Sequence, residues 1–279
     1  MKEIKVWKII LIWFITPLVV SLGSVLVLGV LNPYKEINDV VVMFIMFLAM
    51  LLIILIMGKV NSKLVIERYQ NFKYKFDIKE IIFVTATQIF LSIGLSNLSI
   101  GCMAIIDIEK ALISLNDTFG NPTTNVELIL WSVTVVILAP LLEEIVFRRI
   151  LFTAFSKRLK FFMAAAISSI IFGVGHDILG VLGAIVFGYT CCILYKKYNN
   201  ILIPIAVHFF NNLLAAVFTC VAYFHGTLNT PTEYITNYDI KMYFISGSIL
   251  TIVSLITFIK FINKNKEYIK KEKLQSLNI

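Results

Sequence analysis

The sequence predicts an all-α, polytopic membrane helix bundle of about eight transmembrane helices with both termini cytoplasmic. Three observations carry that expectation. Hydrophobic residues make up 59% of the 279-residue chain and charged residues only 15%, against roughly 45–50% and 25% in soluble domains. Eight apolar stretches reach or approach the roughly 20 residues a spanning helix needs. Basic residues gather in alternate connections between those stretches, as orientation by positive charge requires. With a mean hydropathy of +0.88, a chain of 31.7 kDa cannot hide this much apolar surface in a soluble core. A soluble enzyme, a nucleic-acid-binding domain and a disordered chain are therefore excluded.

The stretches are 9–31, 40–58, 81–106, 128–147, 161–176, 178–195, 201–224 and 242–262. The first follows Met1-Lys2-Glu3-Ile4-Lys5, but it is longer than a signal-peptide core and no small-x-small cleavage site is clear, so it reads as a retained helix. The fifth and sixth are short and separated only by Asp177, which suits a tight hairpin or a broken segment. With both ends inside, the inner segments hold all but three of the 25 Lys and Arg residues. The exceptions are Lys35, Lys110 and Lys241. Removing one helix from the count would put a basic block on the wrong side.

The loop 107–127, with Asn121-Pro122, divides the N-terminal helices (1–125) from a central segment (126–225). A last helix and basic tail follow (226–279), the tail either anchoring that helix or binding anionic lipid. Cys102, Cys191, Cys192 and Cys220 lie in apolar runs without a C-x-x-C pair and read as small packing residues.

Ionisable groups in spanning helices are costly and by default mark function. None occurs in the apolar runs of the first 125 residues, whereas the next hundred contain three groups. In the first, Glu143-Glu144-Ile-Val-Phe-Arg148, Glu144 and Arg148 stand four apart with the acid N-terminal, the favourable order for an ion pair. Glu143 has no partner within this segment, and Pro140 should kink the helix or free a carbonyl. The second is Phe172-Gly-Val-Gly-His176, followed by Asp177, which either orients the ring or marks the outer interface. The third is His208-Phe-Phe-Asn211-Asn212, where His208 and Asn212 share one helix face.

Each group also has a plainer reading: an interfacial acid–base cluster, a satisfied core histidine, and interhelical hydrogen bonding. Together they make a kit for hydrolysing an amide with water. A Glu takes the proton, a His holds the water, and a His–Asn pair stabilises the oxyanion. Glu143, His176 and His208 are equally a candidate zinc-ligand set. His225, at an outer helix end, reads as bland.

These residues resemble the CPBP family of intramembrane proteases (CAAX protease and bacteriocin-processing, or Abi), whose relatives include the endopeptidase that trims prenylated CAAX proteins. The family pattern E-E-x-x-x-R, F-x-x-x-H, H-x-x-x-N is matched in order by Glu143-Glu144…Arg148, Phe172…His176 and His208…Asn212. The resemblance covers roughly 126–225, and Arg149 stands where many relatives carry Gly. It implies that Glu143 activates water positioned by His176, that His208 and Asn212 form the oxyanion hole, and that Glu144 and Arg148 support them. It leaves zinc and metal-free chemistry equally open.

The expected function is thus an endopeptidase in the cell membrane that hydrolyses a peptide bond of a peptide or membrane-protein substrate at the lipid bilayer, with no nucleic-acid partner. The alternatives are a non-catalytic bacteriocin-immunity or regulatory protein on the same scaffold, and a proton- or cation-coupled transporter. No internal repeat supports the transporter. An Ile-, Lys- and Asn-rich composition suggests an AT-rich bacterial genome. One geometric demand follows. A straight helix over 161–176 places His176 about 24 Å from Lys160, whereas His208 lies about 10 Å inside its helix. Bringing the two together requires that helix to tilt and start inside the interface, or its boundaries to differ from 161–176.

Overall fold

A computed structural model describes residues 2–31, 38–118 and 120–270. The expectations for Lys35 and for the basic tail from Lys271 onward lie outside the described residues. All regular structure among the described residues is helical: α1 (Val6–Leu31), α2 (Asp39–Met57), α3 (Ser62–Lys75), α4 (Ile78–Ile106) and α5 (Ile108–Leu115). There follow α6 (Asn125–Ser156), α7 (Phe161–Val174), α8 (Val181–Tyr198), α9 (Leu202–Phe224), α10 (Asn237–Lys264) and α11 (Lys266–Lys270).

The polar punctuation explains the starts. Asn38, Asn61, Asp77, Asp107 and Thr124 each accept a hydrogen bond from a backbone N–H in the first turn of the helix they precede. Thr236 and Asp239 close a capping box ahead of α10. These are the orphan donors that a helix N-terminus leaves.

Among the described residues six helices, α1, α2, α4, α6, α9 and α10, are long and apolar enough to cross a membrane. The fifth and sixth expected spans differ in boundary. The helix predicted over 161–176 ends at Val174, and the next begins at Val181. At 14 and 18 residues they extend about 21 and 27 Å, less than the roughly 30 Å hydrocarbon layer. They form a hairpin whose turn holds His176. Asp177 closes that turn by accepting from the Leu179 and Gly180 N–H groups. The hairpin packs closely because Gly173 faces it: a Cβ there would sit 2.3 Å from Ile185 Cγ1 and 3.0 Å from the Val181 carbonyl oxygen.

Small residues also set the α4–α10 crossing. A Cβ on Gly94 would lie 2.7 Å from the Thr251 backbone nitrogen, and one on Gly247 3.0 Å from the Gly94 carbonyl oxygen. Close backbone approach of this kind is how membrane helices gain packing where apolar burial has no driving force.

The segments expected on the inner side meet at one end of the bundle. Lys2 N–H donates to Gly58 O at 2.7 Å, Lys157 pairs with Glu3 at 2.5 Å, and Lys75 Nζ donates to Tyr198 O at 2.9 Å. Buried Glu80 pairs with Lys197 at 2.6 Å and accepts from the Tyr198 hydroxyl. At the other end Asn38 donates to Glu127 at 2.8 Å and Tyr223 to Asn125 at 3.0 Å. Cys191 and Cys192 are buried packing residues as expected, but Cys102 is exposed and Cys220 half-buried.

Candidate functional site

The site is built on α6, whose hydrogen-bond register is not α-helical throughout. Thr134–Leu138 and Glu144–Phe152 are π-helical, on either side of Pro140. Such wide turns concentrate at functional positions. Here proline has a definite effect. The Ala139 N–H bonds the Thr134 carbonyl in the i→i−5 register, so the next donor due is residue 140, which as proline has none. The Val135 carbonyl is thereby freed, and Asn212 Nδ2 on α9 donates to it at 2.8 Å. The carbonyl release expected at Pro140 is met by a side chain 77 positions away.

One π-helical turn further along, Glu144 and Arg148 form the expected ion pair, Oε1 to Nη1 at 3.0 Å, with both side chains essentially inaccessible. The guanidinium also lies over the Phe172 ring, 4.4 Å from its centroid, a cation–π contact worth about 2 kcal/mol when desolvated. Glu144 Oε1 takes a second partner, His208 Nδ1, at 2.9 Å. Paired with Arg148, Glu144 is a carboxylate acceptor, so the Nδ1–H of His208 donates to it. The other ring nitrogen, Nε2, then faces Glu143 Oε2 at 3.7 Å. That is too long for a direct hydrogen bond. Glu143 keeps 14% of its side chain accessible, whereas His208 keeps 4%.

His176 completes the group from the hairpin turn. Its ring is exposed, and its Nδ1 lies 3.1 Å from the Phe172 carbonyl. With Nδ1–H donating there, Nε2 is left as an acceptor. Glu143 has His208, His176, Arg148 and Glu144 as its ionisable neighbours. The helix expected over 161–176 ends at Val174, so His176 sits in the hairpin turn rather than on the helix. Phe172 is the common wall, with its ring 4.7 Å from that of His176, 6.0 Å from that of His208 and 5.1 Å from that of Phe147.

Glu143, Glu144, Arg148, Phe172, His176 and His208 are therefore brought together, and Asn212 stands one turn beyond His208 on α9. Asn211 donates to the Asn212 carboxamide oxygen at 3.2 Å. Among the described residues no three His, Cys, Asp or Glu side chains converge as a group able to hold a metal ion. For zinc, Glu143 and His208 face each other without a third donor in place. Arg149, the departure from the family pattern, points away and donates to the Tyr195 hydroxyl at 3.2 Å.

Sequence reasoning missed Phe187. Buried on α8, its ring stands 4.8 Å from the His208 ring. An aromatic inside an apolar run carries no mark of what it faces. Gly188 beside it makes room for the shared wall, since a Cβ there would sit 3.2 Å from Phe172 Cδ1. An apolar groove of about 560 Å³ runs between α6 and α9 from Phe209 and Val136 towards His225.

The fold defines an integral, multi-pass membrane protein in which the three sequence motifs gather into one cluster. Residues 125–214 match the family model described as Type II CAAX prenyl endopeptidase Rce1-like. The chain is also 39% identical over 82 residues to a Bacillus subtilis protein named "Putative membrane peptidase YdiL". That alignment covers 29% of this chain and 34% of the relative, so the likeness spans about a third of the relative's length. No solved structure matches the chain.

Proposed function

We propose that the protein is an intramembrane endopeptidase that hydrolyses a peptide bond of a membrane-associated protein or peptide with an activated water. The observation that carries the reading is His208 held between two carboxylates, 2.9 Å from Glu144 and 3.7 Å from Glu143. Only one of the two acids is engaged in a buried ion pair, which leaves Glu143 as the accessible base.

The water donates one hydrogen to Glu143 and the other to His176 Nε2. Glu143 removes its proton as the oxygen attacks the carbonyl carbon. Negative charge develops on the carbonyl oxygen. His208, protonated and oriented through Nδ1–H to Glu144, aims its Nε2–H at that oxygen. The Asn212 amide has two hydrogens, one on Val135 O; the second is the other donor of the oxyanion hole. Collapse of the tetrahedral intermediate breaks the C–N bond, and the proton held on Glu143 passes to the leaving amine. The apolar groove beside the site suits a substrate that arrives within the bilayer.

The test compares new peptide N-termini in membranes of cells carrying the wild type or Glu143→Gln at matched protein levels. Termini that vanish in the variant are expected and would name the substrate. Identical termini, with a phenotype such as toxin resistance intact in both, would move the protein to the non-catalytic immunity reading.

A further inference from the structure

The connection between α2 and α4 holds a helix, α3, none of whose residues is buried. At 100° per residue its 14 positions fall on three faces. Leu64, Arg68 and Phe72 point to the bundle and are half-buried. Lys63, Glu67 and Gln70 form a polar face. Between these lie Val65, Ile66 and Tyr69, all more than half exposed, with Lys73 among them. An exposed apolar strip bordered by lysine, on a helix strung between the inner ends of two spans, has the form of an interfacial helix. Its charge is one-sided: Lys63, Lys73, Lys75 and Lys79 are exposed, and Glu67 is the single acid within α3.

The inner face of α3 is tied to the C-terminal end of α8 and, through Asn200, to the helix that carries His208. Arg68 Nη1 donates to Asn199 O at 3.3 Å and Lys75 Nζ to Tyr198 O at 2.9 Å. Asn200, only 1% exposed, makes the link. Its Nδ2 donates to Arg68 O at 2.9 Å, while its Oδ1 accepts from the Leu202 N–H at 3.0 Å, the first amide of α9. One buried side chain thus joins the α3 backbone to the start of α9, six residues before His208.

We propose that α3 binds the headgroups of anionic phospholipids at the cytoplasmic interface, and that this engagement is passed through Asn200 to α9. Val65, Ile66 and Tyr69 enter the acyl boundary, while Lys63 and Lys73 meet the phosphates. Each basic residue near such a surface contributes about 1 kcal/mol of attraction. The partner is a lipid surface because the apolar strip lies beside the lysines at the membrane plane. An acidic peptide would match the charge alone.

The experiment is hydrogen exchange on the full chain in nanodiscs of phosphatidylcholine, with and without phosphatidylglycerol, and does not depend on cleavage. Amides of 62–75 and of 200–205 are expected to exchange several-fold more slowly with the anionic lipid. Lys63→Glu with Lys73→Glu should abolish the difference in both segments. Asn200→Ser, which keeps an oxygen to cap α9 but cannot reach Arg68 O, should keep it in 62–75 and lose it in 200–205. Exchange indifferent to phosphatidylglycerol, or a lipid effect that survives the double reversal, would overturn the proposal. So would soluble polyglutamate reproducing the protection in phosphatidylcholine discs.

Discussion

Glu144 Oε1 lies 2.9 Å from His208 Nδ1 while also lying 3.0 Å from Arg148 Nη1. A single buried carboxylate therefore fixes the imidazole and answers the guanidinium, and it leaves His208 Nε2 turned to Glu143. The two adjacent acids have different surroundings because α6 turns one inward and the other towards the accessible side of the site.

That division is testable with two isosteric changes. Glu144→Gln leaves Arg148 buried without a counter-charge, which costs about 3–5 kcal/mol, so the unfolding midpoint in detergent should fall sharply. Glu143→Gln removes no ion pair of this kind and should unfold at the wild-type midpoint while losing cleavage. Equal midpoints for both variants would contradict the assignment.

Asn212→Ala should lower kcat by about 10²–10³, the usual loss for one oxyanion donor, with KM nearly unchanged. It also strips Val135 O of its donor, at about 1–3 kcal/mol for a buried unsatisfied group. Adding Pro140→Ala supplies an N–H for that carbonyl. The double variant should regain stability without regaining turnover. Recovery of both would make Asn212 a structural residue alone.

Phe187→Leu keeps α8 apolar but removes the ring 4.8 Å from His208. Loss of turnover is expected, with a changed pH profile and little change in KM. An unchanged pH profile would remove Phe187 from the positioning of His208.

Chelators give a direct test of the donor set. With no three-ligand group among the described residues, cleavage in isolated membranes should persist in EDTA and phenanthroline. Loss of cleavage restored by zinc would return Glu143, His176 and His208 to the role of ligands.

Gly173→Ala should destabilise the hairpin by about 1–3 kcal/mol, as overpacking does. Ile185 can rotate away from the new methyl, but the Val181 carbonyl at 3.0 Å is backbone and cannot. Because His176 follows three residues later, activity measured below the unfolding temperature should fall too.

The sequence by itself determined the class and the chemical inventory, and its basic connections set the expected sidedness. Apolar runs and basic connections are properties of composition along the chain. The Glu144–Arg148 pair was legible because four positions on one helix suffice to make it. Pro140 announced a freed carbonyl for the same local reason.

Tertiary structure alone decided who meets whom across helices. Glu144 finds His208 from 64 positions away and Val135 finds Asn212 from 77, distances at which no periodicity records a partner. The same holds for Phe187 against His208, and for the hairpin turn that brings His176 near Glu143. Local spacing sets which face of a helix a side chain occupies. Packing of glycine-lined helices sets what that face touches, and the site consists of such contacts.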